Sequence, residues 1–104
     1  MEETPLFQLQ EGASLATTLL KSMSNSNRLL ILCVLIEKPG TSSGELSQLT
    51  GLTPSATSQH LAKMKEDGLI ESKRVAQTVN YFIKNDAVKK VISTLKDIYC
   101  PEGV

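Results

Sequence analysis

Two cysteines, Cys33 and Cys100, are the residues of this 104-residue sequence with the widest reaction chemistry. A thiolate attacks oxidised sulfur and binds soft metals, but two thiolates are too few for a closed metal site. The two residues are far apart and form no CxxC motif, which argues against a zinc site and against a thioredoxin-type dithiol. From the residues alone they are either a sensing pair or inert core thiols, the commonest role of a buried cysteine.

Residues 52–68 carry a second set of candidates, polar side chains along one face of a predicted helix. Thr53 is a preferred N-cap, Pro54 suits the first helical position, and Gly68 ends the helix. The residues expected to face inward recur at helical spacing: Ala56, Thr57, Leu61 and Met64. The outward face then carries Ser55, Ser58, Gln59 and Lys63. Such a face is typical of a helix in a DNA major groove, although an ordinary solvated helix would look similar.

Each polar side chain on that face has a predicted role in DNA binding. Ser58 and Gln59 are predicted to contact base edges, because glutamine bonds adenine through two atoms and serine donates or accepts. Ser55, near the positive N-terminus of the helix, is predicted to hold a phosphate, and Lys63 to attract one by its charge. His60, the only histidine, either contacts the DNA backbone or stacks under the predicted wing, and the packing role is favoured.

The segment before this helix predicts the first half of a helix-turn-helix. Ser42 and Glu45 form a capping box that opens a short helix. Leu46 and Leu49 are expected to face inward from it, and Gly51 closes it. Two short helices joined by a tight turn with a glycine predict a helix-turn-helix in which the second helix reads the groove.

A predicted β-hairpin follows the second helix directly. Residues 69–74 and 78–83 are rich in strand-forming side chains, with a turn at residues 75–77 between them. The tip carries Arg74, Gln77 and Thr78, which we expect to contact phosphates or the adjacent minor groove. A helix-turn-helix with such a wing is far more specific than either part alone, so the DNA-binding interpretation is favoured over a solvated helix.

The segments before residue 40 predict a tail and two helices. Residues 1–8 read as a flexible N-terminal tail. Residues 9–23 form an amphipathic helix with one narrow apolar stripe: Leu9, Ala13, Ala16, Leu20 and Met23. Residues 28–37 are apolar on nearly every side, which, with the capping residues before them, predicts a buried central helix around Cys33.

Residues 87–99 predict a last helix with a wide apolar face, followed by Cys100 and a short C-terminal tail at residues 101–104. So wide a face in a small domain predicts a homodimer that packs through its terminal helices. The fold is expected to be mainly α with a small β-hairpin, a winged helix-turn-helix in which four helices precede two strands and a fifth helix. Residues 9–100 would form this one domain.

The charge of the chain is balanced, with 11 basic and 11 acidic residues and a pI of about 6.6. Global charge therefore gives no support to DNA binding, and only a modest basic surplus around the predicted wing does. No run approaches the roughly 18 apolar residues of a membrane span, and no signal peptide is evident. We accordingly expect a cytoplasmic protein with no membrane partner, whose thiols are reduced by default.

The order of the predicted elements and four motifs resemble the ArsR–SmtB family of bacterial transcriptional repressors. The motifs are RLLIL at residues 28–32, GELSQLTGL at 44–52, SATSQHLAKM at 55–64 and GLI at 68–70. The resemblance covers nearly the whole chain, and the S-x-x-S-x-H-L pattern is a fairly specific mark of it.

Metal sites described for that family are not matched by the residues of this chain. One site uses cysteines where this chain has Thr41, Ser42 and Ser43. Another uses acidic and histidine ligands where it offers Asp86 and Asp97 without a histidine. A metal sensor is therefore disfavoured, and we expect no metal ligand, no cofactor and no catalytic residue.

Cys33 within ILCVL and Cys100 within IYCP resemble the persulfide-sensing branch of the family, typified by BigR. The resemblance implies that the two thiols face each other within one subunit and become linked by a disulfide or a short polysulfide bridge. It also implies a bacterial cytoplasmic homodimer that releases its operator DNA, an inverted repeat, when persulfides or other reactive sulfur species arrive. The genes controlled would serve sulfide or persulfide detoxification.

Other interpretations stay open on the residues alone. The same repressor could answer peroxide or a thiophilic metal. A thiol enzyme would need a low-pKa cysteine beside a histidine or arginine, and the single histidine belongs to the predicted reader helix. An apolar helix would raise the pKa of Cys33, and no compensating cation is evident in the sequence.

Overall fold

The helices begin where capping residues stand in the sequence. The computed structural model describes residues 4–100, and the elements are α1 (Pro5–Met23), α2 (Ser26–Glu37), β1 (Thr41–Ser42), α3 (Ser43–Thr50), α4 (Pro54–Glu66), β2 (Ile70–Val75), β3 (Thr78–Ile83) and α5 (Asp86–Tyr99). The N-caps, whose side chains accept from first-turn N–H groups, are Thr4, Asn25, Ser42, Thr53 and Asn85. The predicted winged helix-turn-helix fold is confirmed.

The first helix is longer than the sequence predicted. It begins at Pro5 rather than at residue 9, because the Phe7 backbone N–H donates to Thr4 Oγ1 (3.1 Å) and proline suits the first helical position. The predicted tail over residues 1–8 is therefore corrected at residues 5–8. Residues 1–3 and the predicted C-terminal tail at residues 101–104 lie outside the described part of the chain.

The apolar stripe predicted for α1 meets little of the chain's own core. Of its five residues only Met23 is buried, while Leu9 and Leu20 are 71% and 52% exposed. Leu19, which lies outside that stripe, packs against the core instead. The pattern of apolar residues predicted the helix correctly. It does not show whether the apolar stripe packs on the chain's own core or on a partner subunit.

The central helix α2 supplies the middle of the hydrophobic core, as predicted. Its side chains Ile31, Leu32 and Leu35 are buried, and they pack with residues from the other elements. Those residues are Met23, Leu46, Leu61, Met64, Leu69, Ile70, Ile83, Val88 and Ile92. Burying one aliphatic side chain is worth about 1.5–3 kcal/mol, so this cluster fixes α2 against α4 and α5. Leu49, predicted to face inward, is exposed because short α3 presents only the turn around Leu46 to the core.

A three-stranded antiparallel sheet of order β1-β3-β2 contains the predicted hairpin. The strands β2 and β3 form the hairpin, and their last pair at the tip is Val75 opposite Thr78. The turn is one residue shorter than predicted, because Val75 belongs to the strand and Ala76 turns the chain at φ +57°. The short strand β1, which the sequence did not predict, pairs Thr41 with Tyr81.

No single helix within residues 4–100 is long and apolar enough to cross a membrane. The consecutive helices α1 and α2 reach the required length and composition only together, and they are bent by 94° where they meet.

Candidate functional site

The turn between α3 and α4 is fixed by groups that the sequence pattern predicted. Gly51 ends α3 at φ +77°, a left-handed conformation that favours glycine. Ser47 Oγ donates to the Leu52 carbonyl (2.6 Å), and Thr53 Oγ1 accepts from the Ala56 backbone N–H (3.1 Å). Local hydrogen bonds therefore set the direction of α4, which we call the reader helix.

The outward face of the reader helix carries the four polar residues predicted for it. The buried side of the helix consists of Thr57, Leu61 and Met64. The exposed residues on the other side include Ser55, Ser58, Gln59 and Lys63. Ser55 lies in the first turn, where free N–H groups and the helix dipole attract an anion. This face can offer donors and acceptors to base edges while the core stays in place.

Lys63 has a neighbour that the sequence analysis did not consider. Its Nζ lies 3.4 Å from Oδ1 of Asp67, one turn further along the chain. Asp67 also accepts a hydrogen bond from Ser22 Oγ of α1 (2.6 Å). This bond is the main cause of the lowered pKa of the Asp67 carboxyl, and Lys63 lowers it further. The half-exposed charge of Lys63 is partly neutralised, so an anion that bound at Lys63 would compete with Asp67.

The wing, the hairpin of β2 and β3, is joined to the reader helix by Lys65. Lys65 Nζ of α4 donates to Ser72 Oγ of β2 (2.8 Å). Lys73 Nζ lies 5.1 Å from the centre of the Phe82 ring, a cation–π contact within the wing. The exposed tip carries the three residues predicted for it, Arg74, Gln77 and Thr78. These contacts place the tip residues and the reader face on one connected unit.

His60 is half-buried and contacts α2. The Nε–H of Arg28 in α2 donates to Nδ1 of His60 (3.3 Å). The Nη1 group of Arg28 donates to the Ser22 carbonyl at the end of α1 (3.0 Å). In the contact with Arg28, Nδ1 of His60 is the acceptor.

The two cysteines lie on helices that pack together, Cys33 half-buried in the middle of α2 and Cys100 exposed at the end of α5. Both are free thiols. Lys96 Nζ donates to Glu37 Oε1 (2.5 Å) and so joins the two helices. Glu37 follows Cys33 by four residues and Lys96 precedes Cys100 by four, so each pair shares a helix face. Cys33 and Cys100 therefore each lie about one helical turn from the contact that joins α2 and α5.

The thiols are near enough for the charge of one to act on the other. Burial raises the pKa of the Cys33 thiol above its ordinary value of 9.0, and the charges of Cys100 and Glu37 add to that effect. The ammonium group of Lys96 opposes it. Cys33 is therefore mostly protonated at neutral pH, while Cys100 is the more accessible thiol.

The sequence analysis missed Glu37 and Lys96 as neighbours of the cysteines. Their spacing of four residues from Cys33 and Cys100 was visible in the sequence, but it gives only a candidate neighbour for each cysteine and not the contact between the two helices. The contact between them joins residues 59 positions apart, and no local pattern reveals which face of α5 packs on α2.

The residues at the family's metal positions are used in the local structure. Thr41 is buried and its Oγ1 donates to the Lys38 carbonyl, while Ser42 caps α3. Within residues 4–100, no three His, Cys, Asp or Glu side chains come together in an arrangement that would hold a metal ion.

Comparison with known proteins agrees with this architecture. Residues 25–72 match the family described as bacterial regulatory protein, arsR family. The HTH-type transcriptional regulator YgaV of Escherichia coli (strain K12) is 59% identical over 98 residues, which cover 94% of this chain and 99% of that protein.

Two solved structures share the fold and cover nearly the whole chain. Reduced HlyU from Vibrio cholerae N16961 has a TM-score of 0.84 at 42% identity, over 89% of this chain and 97% of that one. The transcriptional repressor BigR from Xylella fastidiosa has a TM-score of 0.82 at 28% identity, over 93% of this chain and 98% of that one. These relatives are described as regulators of transcription. The chain therefore belongs to the arsR family of bacterial regulatory proteins.

Proposed function

We propose that this protein is a homodimeric repressor that releases operator DNA when reactive sulfur bridges Cys33 and Cys100. The observation that supports the proposal is the position of the two cysteines on the packed helices α2 and α5, each four residues from a member of the Lys96–Glu37 contact. Two relatives support the repressor role and the relevance of the thiol state: BigR is a transcriptional repressor, and HlyU has been solved in a reduced form.

DNA binding would use the exposed surface formed by the reader helix and the wing. Ser58 and Gln59 contact base edges in the major groove, and Ser55 and Lys63 hold phosphates. The wing adds Arg74, Gln77 and Thr78 at the neighbouring backbone or minor groove. In a two-fold dimer the two reader helices lie about 34 Å apart, one turn of DNA, so the operator is an inverted repeat.

The homodimer would form through the terminal helices. On α1, Leu6, Leu9 and Leu15 are between 65% and 71% exposed. At the end of α5, Ile98 and Tyr99 are 61% and 77% exposed. Such apolar side chains on two long helices are the kind of surface that a second copy covers.

The sensing reaction can be written with a persulfide, R–S–SH, as the two-electron oxidant. The exposed Cys100 thiolate attacks the terminal sulfur, which forms Cys100–S–SH and releases R–SH after protonation. The Cys33 thiolate then attacks the sulfur of Cys100 itself, which forms the disulfide and releases hydrogen sulfide. Lys96 favours the Cys33 thiolate at this step, against the effect of burial.

A polysulfide, R–S–S–SH, would leave a longer bridge. Attack of Cys100 on the middle sulfur forms Cys100–S–S–SH and releases R–SH. Attack of Cys33 on the sulfur next to the terminal one then releases hydrogen sulfide and leaves one extra sulfur between the two residues. A direct disulfide needs Cα atoms within about 7 Å, whereas a longer bridge spans more, so helix spacing would select the donor.

The test is DNA release, measured by fluorescence anisotropy on a labelled operator fragment. Reduced wild-type protein should bind, and inorganic polysulfide should release the DNA. Cys33→Ser and Cys100→Ser should each bind as the wild type does and keep the DNA after treatment. Release from both serine variants would contradict the proposal. Release by peroxide alone, or by copper(I) or arsenite, would replace sulfur sensing with the corresponding signal.

A further inference from the structure

Arg28, in the first turn of α2, contacts both of the helices that flank the start of α2. Its Nε–H donates to His60 of the reader helix (3.3 Å) and its Nη1 group donates to the Ser22 carbonyl of α1 (3.0 Å). Both contacts are partly buried, and both acceptors lie on other elements of the domain. The guanidinium group therefore joins three helices at one point.

A second contact joins two of these helices nearby. Ser22 Oγ donates to Asp67 Oδ2 at the end of the reader helix (2.6 Å), while the Ser22 carbonyl accepts from Arg28. The reader helix is thus held at His60 by α2 and at Asp67 by α1. The exposed residues Gln59 and Lys63 lie beside and between those two points, so a shift of either contact changes the angle of the reading face.

Arg28 and Cys33 lie on the same helix, five residues apart. Five residues correspond to about 7.5 Å along an α-helix. Three of the four residues between them, Leu29, Ile31 and Leu32, pack in or against the core. A helix held in this way moves as a unit, so a displacement of α2 at Cys33 reaches Arg28.

We infer that Arg28 is the positioning residue that transmits the state of the cysteine pair to the reader helix through His60. The inference rests on the proposed function for its trigger, the bridge between Cys33 and Cys100. The role of the Arg28–His60 contact in holding the reader helix does not depend on that trigger. Neither residue contacts DNA in this account.

The chemistry of the two side chains makes the contact specific. Arginine presents five donors in a planar fork and can bind Nδ1 of His60 and the Ser22 carbonyl at once. Lysine carries the same charge on one nitrogen atom and does not reproduce this geometry. Glutamine at position 60 keeps an acceptor for Arg28, whereas leucine has none.

The experiment measures operator affinity for Arg28→Lys, His60→Leu, His60→Gln and the double variant Arg28→Lys/His60→Leu, each reduced and after polysulfide. Arg28→Lys and His60→Leu should each lose about 5- to 150-fold in the reduced state, the usual range of coupling between sites. The double variant should lose no more than either single variant, and His60→Gln should retain affinity. The ratio of operator affinity in the reduced state to that after polysulfide should fall in Arg28→Lys, in His60→Leu and in the double variant. Thermal unfolding identifies any variant that fails to fold, and His60→Gln then carries the comparison.

The salt dependence of binding separates positioning from direct contact. Loss of a phosphate contact lowers the slope of log affinity against log salt by about 0.9, whereas loss of positioning leaves it unchanged. Additive losses in the double variant, a lower slope, or an unchanged ratio in Arg28→Lys would each overturn the inference. If the wild type does not respond to polysulfide, the proposed function fails, and the reduced-state affinities still decide whether the Arg28–His60 contact positions the reader helix.

Discussion

Lys96 and Glu37 contact each other one helical turn away from Cys100 and Cys33, respectively. The side chain of Lys96 is only 13% exposed, whereas that of Glu37 is 49% exposed, so the contact lies at the edge of the packing of α5 on α2. The same lysine opposes the effect of burial on the Cys33 thiol. One residue therefore joins the two helices and favours the thiolate form of the half-buried Cys33.

Replacing Lys96 by methionine should slow the reaction of Cys33. The substitution keeps much of the side-chain volume but removes the ammonium group, so the pKa of Cys33 rises further and its thiolate fraction falls. We expect a several-fold slower alkylation of Cys33 at about pH 8, measured by peptide mass spectrometry. Lys90→Met, at an exposed position of the same helix, is the matched control and should react as the wild type does. Equal rates in the two variants would show that Lys96 does not act on the thiol.

The reactivity of Cys33 should keep rising at alkaline pH. Burial is the largest cause of its raised pKa and persists in Cys100→Ser, although that variant loses the smaller contribution of Cys100. Alkylation of Cys33 in Cys100→Ser should therefore accelerate beyond pH 9.0, the ordinary thiol value. A rate that reaches its plateau below that pH would contradict the raised pKa.

The same shift makes the stability of the fold depend on pH. The folded pKa lies above the unfolded value, so the stabilising contribution is present below about pH 9 and is lost as the pH rises through the folded value. The free energy of unfolding can be measured by denaturant unfolding of the reduced protein at about pH 8 and at about pH 10. Its decrease between the two pH values should be smaller for Cys33→Ser than for the wild type. Equal decreases in the two proteins would indicate that groups other than Cys33 cause the loss of stability at alkaline pH.

We expect Gln59 of the reader helix to contact a base and Arg74 of the wing to contact phosphate, and substitutions at the two positions should therefore have different effects. Gln59→Ala should cost about 1–3 kcal/mol on the correct operator and reduce discrimination at one base pair. Arg74→Ala should weaken binding to all sequences and lower the salt slope by about 0.9. Titration of a set of single-base operator variants at several salt concentrations distinguishes the two. A uniform loss from Gln59→Ala would assign that residue to the backbone instead.

A charge on the exposed apolar surface of the terminal helices should disrupt the dimer. Leu9 on α1 and Ile98 on α5 are both exposed in the single chain, so Leu9→Asp and Ile98→Asp should leave the monomer folded. Analytical ultracentrifugation should show a shift to monomer, with loss of operator affinity. Leu49→Asp, at an exposed leucine of α3, is the matched control for oligomeric state. Dimers that persist in both terminal variants would place the interface elsewhere.

Local signals in the sequence predicted most of the fold. Ser42 and Thr53 cap the two helices of the helix-turn-helix, and Gly51 closes the turn between them, because each acts on groups a few residues away. The start of α1 was predicted too late because the cap at Thr4 precedes a proline in a segment that looked like a tail. The inward prediction for Leu49 failed because the periodicity of a short helix does not show how much of it reaches the core.

The candidate site was predictable in part. The exposed residues of the reader helix followed from helical spacing, and the two cysteines from their types and local motifs. The contacts of Arg28 with His60 and of Lys96 with Glu37 were not predictable, because they join residues 32 and 59 positions apart. Such contacts depend on how α2 packs against α4 and α5, which no local pattern determines.

The central claim is that Cys33 and Cys100 form a bridged pair, and the intact mass of the reduced protein after inorganic polysulfide tests it most directly. We predict one product that resists alkylation, contains extra sulfur or a disulfide, and is absent from Cys33→Ser and from Cys100→Ser. A peroxide control shows whether the reaction needs a sulfur donor. Protein that still takes up two alkyl groups after polysulfide treatment would contradict the account and leave the cysteines as packing residues of an arsR-family regulator.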